Sequence, residues 1–176
     1  MSAAPRTNPQ NSNGAQRPTI PPPDPAALVI LLVDDDPDCR LPMRDALSEC
    51  KVKNIVYEAN SGEAALEFLE RGEKYLNMPR PGLIYLDVEM PGGINGIETL
   101  RRIRAKKEFR DIPIVMMTGL CGETEMKLAA QYGANSYTLK PANVEQFLRT
   151  VLASTSYWLT IHQYPDHHHA PELCRR

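Results

Sequence analysis

The stretch Leu83-Ile84-Tyr85-Leu86-Asp87 decides the fold of this chain, because an apolar run ends there on a carboxylate and then turns at Met90-Pro91-Gly92-Gly93. A short apolar run bounded by Pro and Gly is typical of a buried strand that enters a loop. In open α/β sheets, the chemistry lies outside the carboxyl ends of the strands. The sequence therefore predicts that Asp87 lies at the functional edge of a sheet.

Three other apolar runs also end on polar residues. Residues 28–33 lead into Asp34-Asp35-Asp36, residues 112–117 lead into Thr118, and residues 135–139 lead into Lys140-Pro141. If these runs are parallel strands, their carboxyl ends share one edge of the sheet. We therefore expect acids, a hydroxyl and an amine to gather there.

Segments with helical spacing of apolar residues alternate with the predicted strands. A further strand is predicted at residues 54–58, and the last helix carries an apolar stripe formed by Val144, Phe147, Leu148, Val151 and Leu152. Alternating strands and helices predict an α/β fold, with a parallel sheet covered on both faces and right-handed crossovers.

The composition excludes several classes of protein. The 176 residues carry a net charge of −2, and 42% of them are hydrophobic. This charge does not favour a nucleic-acid or membrane partner. No apolar stretch approaches the about 18 residues of a membrane span, and no signal peptide is visible. The four cysteines show neither close pairing nor zinc spacing, so a cytoplasmic protein with reduced thiols is expected.

Three regions are predicted along the chain. Residues 1–26 are rich in Pro, Asn, Ser, Gln and Ala and are expected to form a disordered arm. Within it, Pro21-Pro22-Pro23 is either a docking motif or a stiff spacer. Residues 27–153 are predicted to form the domain, and residues 154–176 a C-terminal extension too short for a helix-turn-helix output domain.

The gathered residues predict phosphoryl transfer. Three carboxylates from Asp34, Asp35 and Asp87 would repel one another unless protonated or bound to a cation, and an oxygen-only ligand set suits Mg²⁺. Thr118 and Lys140 would then bind phosphate oxygens while Asp87 accepts the phosphoryl group. Singly, each residue also has a simpler role, as a helix cap, a turn residue or a surface lysine. The order of an acid pair, an acid, Thr and Lys-Pro, each closing a strand, favours the joint site.

The motifs VDDDP, LDVEMPGGING, MMTG and YTLKPA resemble the receiver domain of two-component response regulators over residues 28–153. The resemblance implies a flavodoxin-like (βα)5 fold with strand order 2-1-3-4-5. It also implies a phosphoacceptor protein, rather than an enzyme with a substrate of its own, that receives its phosphoryl group from a sensor histidine kinase.

The resemblance assigns roles to individual residues. By the family pattern, Asp87 forms the aspartyl phosphate, and Asp34 and Asp35 hold Mg²⁺ together with Asp87 and the backbone carbonyl of Glu89. Thr118 corresponds to the switch hydroxyl and Lys140 to the phosphate-binding lysine. Tyr137 corresponds to the aromatic residue that turns inward on activation.

Within the family, the chain is most similar to the small regulators that are paired with phytochrome-type histidine kinases. The long loop at residues 73–81 and the terminal segment Tyr157-Trp158-Leu159-Thr160-Ile161 carry this resemblance. The loop after Asp87 is one residue longer than the usual pattern. The resemblance implies a kinase partner that could be a bacteriophytochrome, and signalling through protein contacts without an output domain.

Two rival functions are open at this stage. A phosphatase of the haloacid dehalogenase type also combines Asp, Thr, Lys and Mg²⁺, and Asp34 with Asp36 could supply its acid pair. That reading lacks the expected cap insertion and gives Asp87 no role. The second rival is an interaction module with a vestigial site. His162 and His167-His168-His169 could bind a metal, but a polar tail of cloning origin is favoured, since no nearby Cys or acid cluster completes a site.

The apolar residues that follow the last helix predict self-association. Tyr157, Trp158, Leu159 and Ile161 would form an exposed patch that a symmetric homodimer could bury. Alternatively, the segment folds back onto its own domain.

Overall fold

A computed structural model describes residues 27–50, 53–119, 122–140 and 143–158. Five parallel strands form one sheet in the order β2-β1-β3-β4-β5. The strands are β1 Leu28–Val33, β2 Asn54–Ala59, β3 Leu83–Asp87, β4 Ile114–Thr118 and β5 Ser136–Leu139. The predicted fold class and strand order are confirmed. The predicted start of β4 at residue 112 is wrong by two residues, because pairing with β3 begins at Ile114.

Five helices alternate with the strands. They are α1 Pro37–Ser48, α2 Gly62–Leu69, α3 Gly96–Ala105, α4 Glu123–Gln131 and α5 Val144–Ser156. Four helices begin at a polar residue whose side chain accepts a backbone N–H of the first turn, and these residues are Asp36, Ser61, Asn95 and Asn143. Such caps supply acceptors to donors that the helix cannot pair internally, so they fix where each helix begins.

The sheet separates two apolar cores. One packs α2, α3 and α4 against one face and includes Phe68, Leu86 and Leu100. The other packs α1 and α5 against the opposite face and includes Leu47, Tyr85 and Phe147. Alternate residues of a strand point to opposite faces, so β3 serves both cores and is buried throughout. The phosphoacceptor candidate therefore stands at the end of a fully buried strand.

The end of α5 corrects the predicted dimer contact. The helix continues into a π-helical turn at Tyr157 and Trp158, and Trp158 is 6% exposed within the α1/α5 core. Just before this turn, the hydroxyl groups of Tyr85 and Thr155 lie 2.7 Å apart, which ties α5 to β3. The indole is thus buried in the core of its own domain. The prediction that Trp158 is an exposed contact is wrong, and the packed domain extends beyond the predicted end at residue 153.

Other predictions about the chain ends stay predictions. Tyr157 is 47% exposed, so self-association through it stays a prediction. Leu159 and Ile161, the arm at residues 1–26 and the histidines of the tail lie outside the described residues. Within the described ranges, no helix has both the length and the apolar character needed to cross a membrane.

Candidate functional site

Backbone hydrogen bonds bring the polar strand ends to one edge of the sheet. The Asp34 N–H donates to the Ala59 carbonyl at 3.1 Å, and the Val88 N–H donates to the Met117 carbonyl at 2.8 Å. At the far side, the Lys140 N–H donates to the Thr118 carbonyl at 2.6 Å. These bonds continue the strand pairing into the loops, so the residues after β1, β3 and β5 lie in register.

The predicted acids and the lysine meet at this edge. Lys140 Nζ lies 2.6 Å from Asp34 Oδ2 and 2.8 Å from Asp87 Oδ1. Carboxylate oxygens of Asp34, Asp35 and Asp87 all lie within 4.8 Å of one another. Asp34 and Asp87 are buried, whereas Asp35 is partly exposed. The structure therefore places four predicted site residues in one cluster.

Burial and charge perturb the titration of this cluster. Burial raises the pKa of Asp87 to about 6, although Lys140 acts in the opposite direction. The negative charge of Asp34 acts in the same direction as burial. Burial would lower the pKa of Lys140, but its hydrogen bond to Asp34 and its pairing with Asp87 outweigh burial and raise it. An ionised Asp87 thus needs more positive charge than Lys140 supplies.

The ligand set fits a hard divalent cation. Three carboxylates face one ammonium group in the described part of the site, which leaves a surplus of negative charge in a largely buried place. Crowded carboxylates of this kind are stabilised by a cation, and oxygen ligands suit Mg²⁺. The Cys39 thiol nearby is a poor ligand, because burial raises its pKa to about 11.

Asp36 has a different role from its two neighbours. Its exposed side chain caps α1 by accepting the Asp38 N–H at 2.9 Å, and this bond lowers the pKa of Asp36. The acid triplet is thus divided: Asp34 and Asp35 belong to the cluster and Asp36 to the helix. The phosphatase reading, which pairs Asp34 with Asp36, finds no support in this arrangement.

An open cavity of about 770 Å³ borders Thr118. Thr118 is buried at the end of β4, and Glu89, Asn95 and Glu125 also line the cavity. Tyr137, on β5, is partly buried against the α2/α3/α4 core.

The loop between β3 and α3 is held closely against Asp87. The Gly96 N–H donates to the Val88 carbonyl at 3.0 Å, and a Cβ at position 96 would lie 1.9 Å from the Asp87 carbonyl oxygen. Only glycine allows this approach. Farther along the loop, Glu63 Oε1 accepts the Ile94 N–H at 2.8 Å, which lowers the pKa of Glu63. The loop that carries Glu89 is therefore anchored to both α2 and α3.

Sequence reasoning missed three residues that support the site. Glu63 holds the β3–α3 loop, while Arg40 and Glu58 hold the loop after β1. A signal existed for Glu58, because it lies near the carboxyl end of β2 and thus at the same sheet edge as the acids. Arg40 gave no local signal, since its partners come from other elements.

The chain is similar to known proteins over most of its length. The model of the response regulator receiver domain matches residues 30–152. The response regulator Rcp1 of Synechocystis sp. is 29% identical over 136 residues, which are 77% of this chain and 91% of Rcp1.

Two solved structures share the fold over almost their whole length. The phosphorylated cyanobacterial phytochrome response regulator RcpA has a TM-score of 0.76 and 28% identity, over 80% of this chain and 100% of that one. The Mn²⁺-bound form of Rcp1 has a TM-score of 0.74 and 29% identity, over 79% of this chain and 99% of that one. Because the family pattern reaches from β1 into α5 and includes the acid cluster, this chain belongs to the response regulator receiver domain family.

Proposed function

We propose that Asp87 accepts a phosphoryl group from a sensor histidine kinase, with Mg²⁺ held by Asp34, Asp35, Asp87 and the backbone carbonyl of Glu89. The observation that carries the proposal is the cluster of three carboxylates within 4.8 Å of one another, with Lys140 Nζ between Asp34 and Asp87. The protein is then a phosphoacceptor that signals through its changed surface.

The proposed transfer depends on the position of the groups. An Asp87 oxygen attacks the phosphorus of a phosphohistidine, the P–N bond breaks, and the imidazole leaves with the electron pair. Lys140 Nζ, 2.8 Å from Asp87 Oδ1, is placed to bind a phosphoryl oxygen, and the Thr118 hydroxyl supplies a second donor. Mg²⁺ supplies neutralisation of the phosphoryl charge. The same groups would assist hydrolysis of the aspartyl phosphate.

The output is proposed to be a rearrangement at β4 and β5. A phosphoryl group on Asp87 would draw the Thr118 hydroxyl towards it and leave room for the ring of Tyr137 to move inward. Thr118 and Lys140 are joined through their backbones, so the ends of both strands respond together. Such a local change of charge biases an element with two arrangements and alters the surface that a partner recognises.

The first prediction concerns the kinase partner. The similarity to RcpA, a cyanobacterial phytochrome response regulator, supports a phytochrome-type kinase, including a bacteriophytochrome, as the phosphoryl donor. In a panel of purified histidine kinases, we expect phytochrome-type kinases to phosphorylate this protein fastest, as measured by transfer of radiolabelled phosphate. Faster transfer from unrelated kinases would contradict the proposed pairing, but transfer from any of them would leave the phosphoacceptor function intact.

The second prediction concerns the pH dependence of the metal-free protein. The folded pKa of Asp87, about 6, lies above its unfolded value, so the carboxyl contributes stability below pH 4 that is lost as the pH rises through 6. In EDTA, Asp87→Asn should therefore gain stability over the wild type between pH 4 and pH 7, by on the order of 2–3 kcal/mol. Denaturant unfolding followed by circular dichroism measures the difference.

Millimolar Mg²⁺ should reduce this gain, because a ligand that binds the folded state stabilises the wild type. The exposed acid Asp38 offers a matched control, since Asp38→Asn should leave both the pH profile and the response to Mg²⁺ close to the wild type. A wild type and an Asp87→Asn variant with parallel pH profiles would count against a strained carboxylate.

A further inference from the structure

Arg40 links three elements beside the acid cluster. It lies on α1, and its side chain is 15% exposed. Its Nη1 donates to the backbone carbonyl of Asp34 at 2.5 Å, and its Nε donates to Glu58 Oε2 at 3.0 Å. Because Glu58 belongs to β2 and Asp34 follows β1, a single guanidinium joins α1 to the carboxyl ends of two strands.

The bond from Arg40 holds the 34–35 peptide plane from its carbonyl side. The Asp34 side chain is already held, since Oδ2 accepts from Lys140 Nζ at 2.6 Å and Oδ1 accepts the Asp36 N–H at 2.9 Å. The Asp34 carbonyl and the Asp35 N–H share one planar peptide group. Fixing this carbonyl therefore sets the direction in which the chain enters Asp35, the partly exposed carboxylate of the cluster.

We propose that Arg40, anchored by Glu58, is a positioning residue that presents Asp35 to the divalent cation. This inference rests on the metal site of the proposed function. It adds a residue that does not itself contact the cation. A side chain that cannot donate in place of Arg40 would leave the 34–35 peptide less restricted. The cation would then have to restrict that rotation, which lowers its affinity.

The sign of the change in Mg²⁺ affinity distinguishes positioning by Arg40 from the effect of its charge. A cationic group near a cation site repels the incoming ion, so removing it should tighten Mg²⁺ binding if charge alone matters. Loss of positioning should weaken binding. Glu58 already pairs with Arg40 and lies 3.4 Å from Arg44 Nη1, which reduces the repulsive contribution of Arg40. We therefore expect the positioning effect to dominate.

Arg44 provides a matched control. It lies one helical turn after Arg40, carries the same charge and also contacts Glu58, whereas Arg40 is the one of the two that bonds the Asp34 carbonyl. Isothermal titration calorimetry with Mg²⁺ would compare the wild type with Arg40→Met, Arg40→Lys and Arg44→Met. Arg40→Met should bind about tenfold more weakly, as expected for a residue that orients a metal ligand. Arg44→Met should stay within about twofold of the wild type.

Two further variants test the anchor. Glu58→Ala should weaken Mg²⁺ binding, as Arg40→Met does. The variant that carries both substitutions should lose less affinity than the product of the two single fold-losses. Arg40→Lys should recover part of the affinity, because an ammonium can still donate to the carbonyl. In the metal-free protein, the NMR amide resonance of Asp35 should shift in Arg40→Met and remain in place in Arg44→Met.

The outcomes separate the inference from the function on which it rests. Unchanged or tighter Mg²⁺ binding by a folded Arg40→Met, beside a wild type that binds normally, would overturn the positioning role. A wild type that binds no Mg²⁺ would overturn the metal site itself. If Arg40→Met does not fold, Arg40→Lys and Glu58→Ala decide the question, and normal affinity in both would overturn the inference.

Discussion

Asp87→Asn is expected to take up no phosphoryl group from acetyl phosphate and Mg²⁺, whereas the wild type takes up one. The amide oxygen of asparagine carries no charge and is a far weaker nucleophile than a carboxylate. The rest of the cluster should persist, because Asp34 keeps its contact with Lys140 at 2.6 Å. The loss would therefore report on the acceptor itself and not on the collapse of its surroundings.

Intact-mass spectrometry followed by peptide mapping would measure this result. Asp38→Asn serves as the control, because it removes an exposed acid at the same sheet edge and should be phosphorylated like the wild type. A phosphoryl group mapped to Asp34 or Asp35 in the wild type would overturn the assignment of Asp87. Reduction with borohydride before digestion converts the aspartyl phosphate to homoserine and releases phosphate, so the homoserine marks the position that carried the phosphoryl group.

Arg104→Met is expected to destabilise the protein by about 3 kcal/mol, the largest loss we expect from a residue outside the site. The guanidinium of Arg104 donates to four acceptors: the carbonyls of Phe109, Ile112 and Gly133 and Oδ1 of Asn135, at 2.9 to 3.0 Å. Partial burial of the guanidinium lowers the pKa of Arg104 to about 10. Methionine fills a similar volume but donates to none of these acceptors. The Phe109 carbonyl and Asn135 Oδ1 keep a second donor, from the N–H groups of Ile112 and Ile114, whereas the carbonyls of Ile112 and Gly133 lose the bond from Arg104.

Chemical denaturation of Arg104→Met and Arg101→Met would test the prediction. Arg101 lies on the same helix and pairs with Glu98 at 2.7 Å, but it is exposed and should matter by less than about 1 kcal/mol. Equal losses in both variants would show that the four bonds of Arg104 are replaced by water. Lysine at position 104 should recover only part of the loss, because one ammonium cannot reach four acceptors in the plane of a guanidinium.

The sequence predicted the sheet and its chemical edge because both depend on local patterns. Apolar runs that end on Asp87, Thr118 and Lys140 describe single strands, and parallel pairing then places their ends together. The helix starts at Ser61 and Asn95 likewise lie at residue types that commonly cap a first turn. These features needed no knowledge of which distant segments touch.

The missed features all depend on distant contacts. Trp158 was expected at an exposed dimer contact. Apolar residues after a helix are compatible both with association between two copies and with burial in their own domain. Its burial depends on where α5 ends relative to the α1/α5 core, which the bond between Tyr85 and Thr155 helps to set. Likewise, Arg40 and Glu58 are 18 positions apart, and neither residue reveals its partner in the local pattern.

The burial of Trp158 also equips the protein with an optical reporter. The chain has a single tryptophan, so its whole indole emission comes from the α1/α5 core. The ring of Tyr157 lies edge-on at 5.1 Å between centroids, close enough to pass excitation energy to the indole. Native protein should therefore emit at short wavelength, and unfolding should shift the emission to the red. Since Thr155 ties this helix to the strand that ends at Asp87, the same emission follows the helix–strand contact beneath the acceptor without any added label.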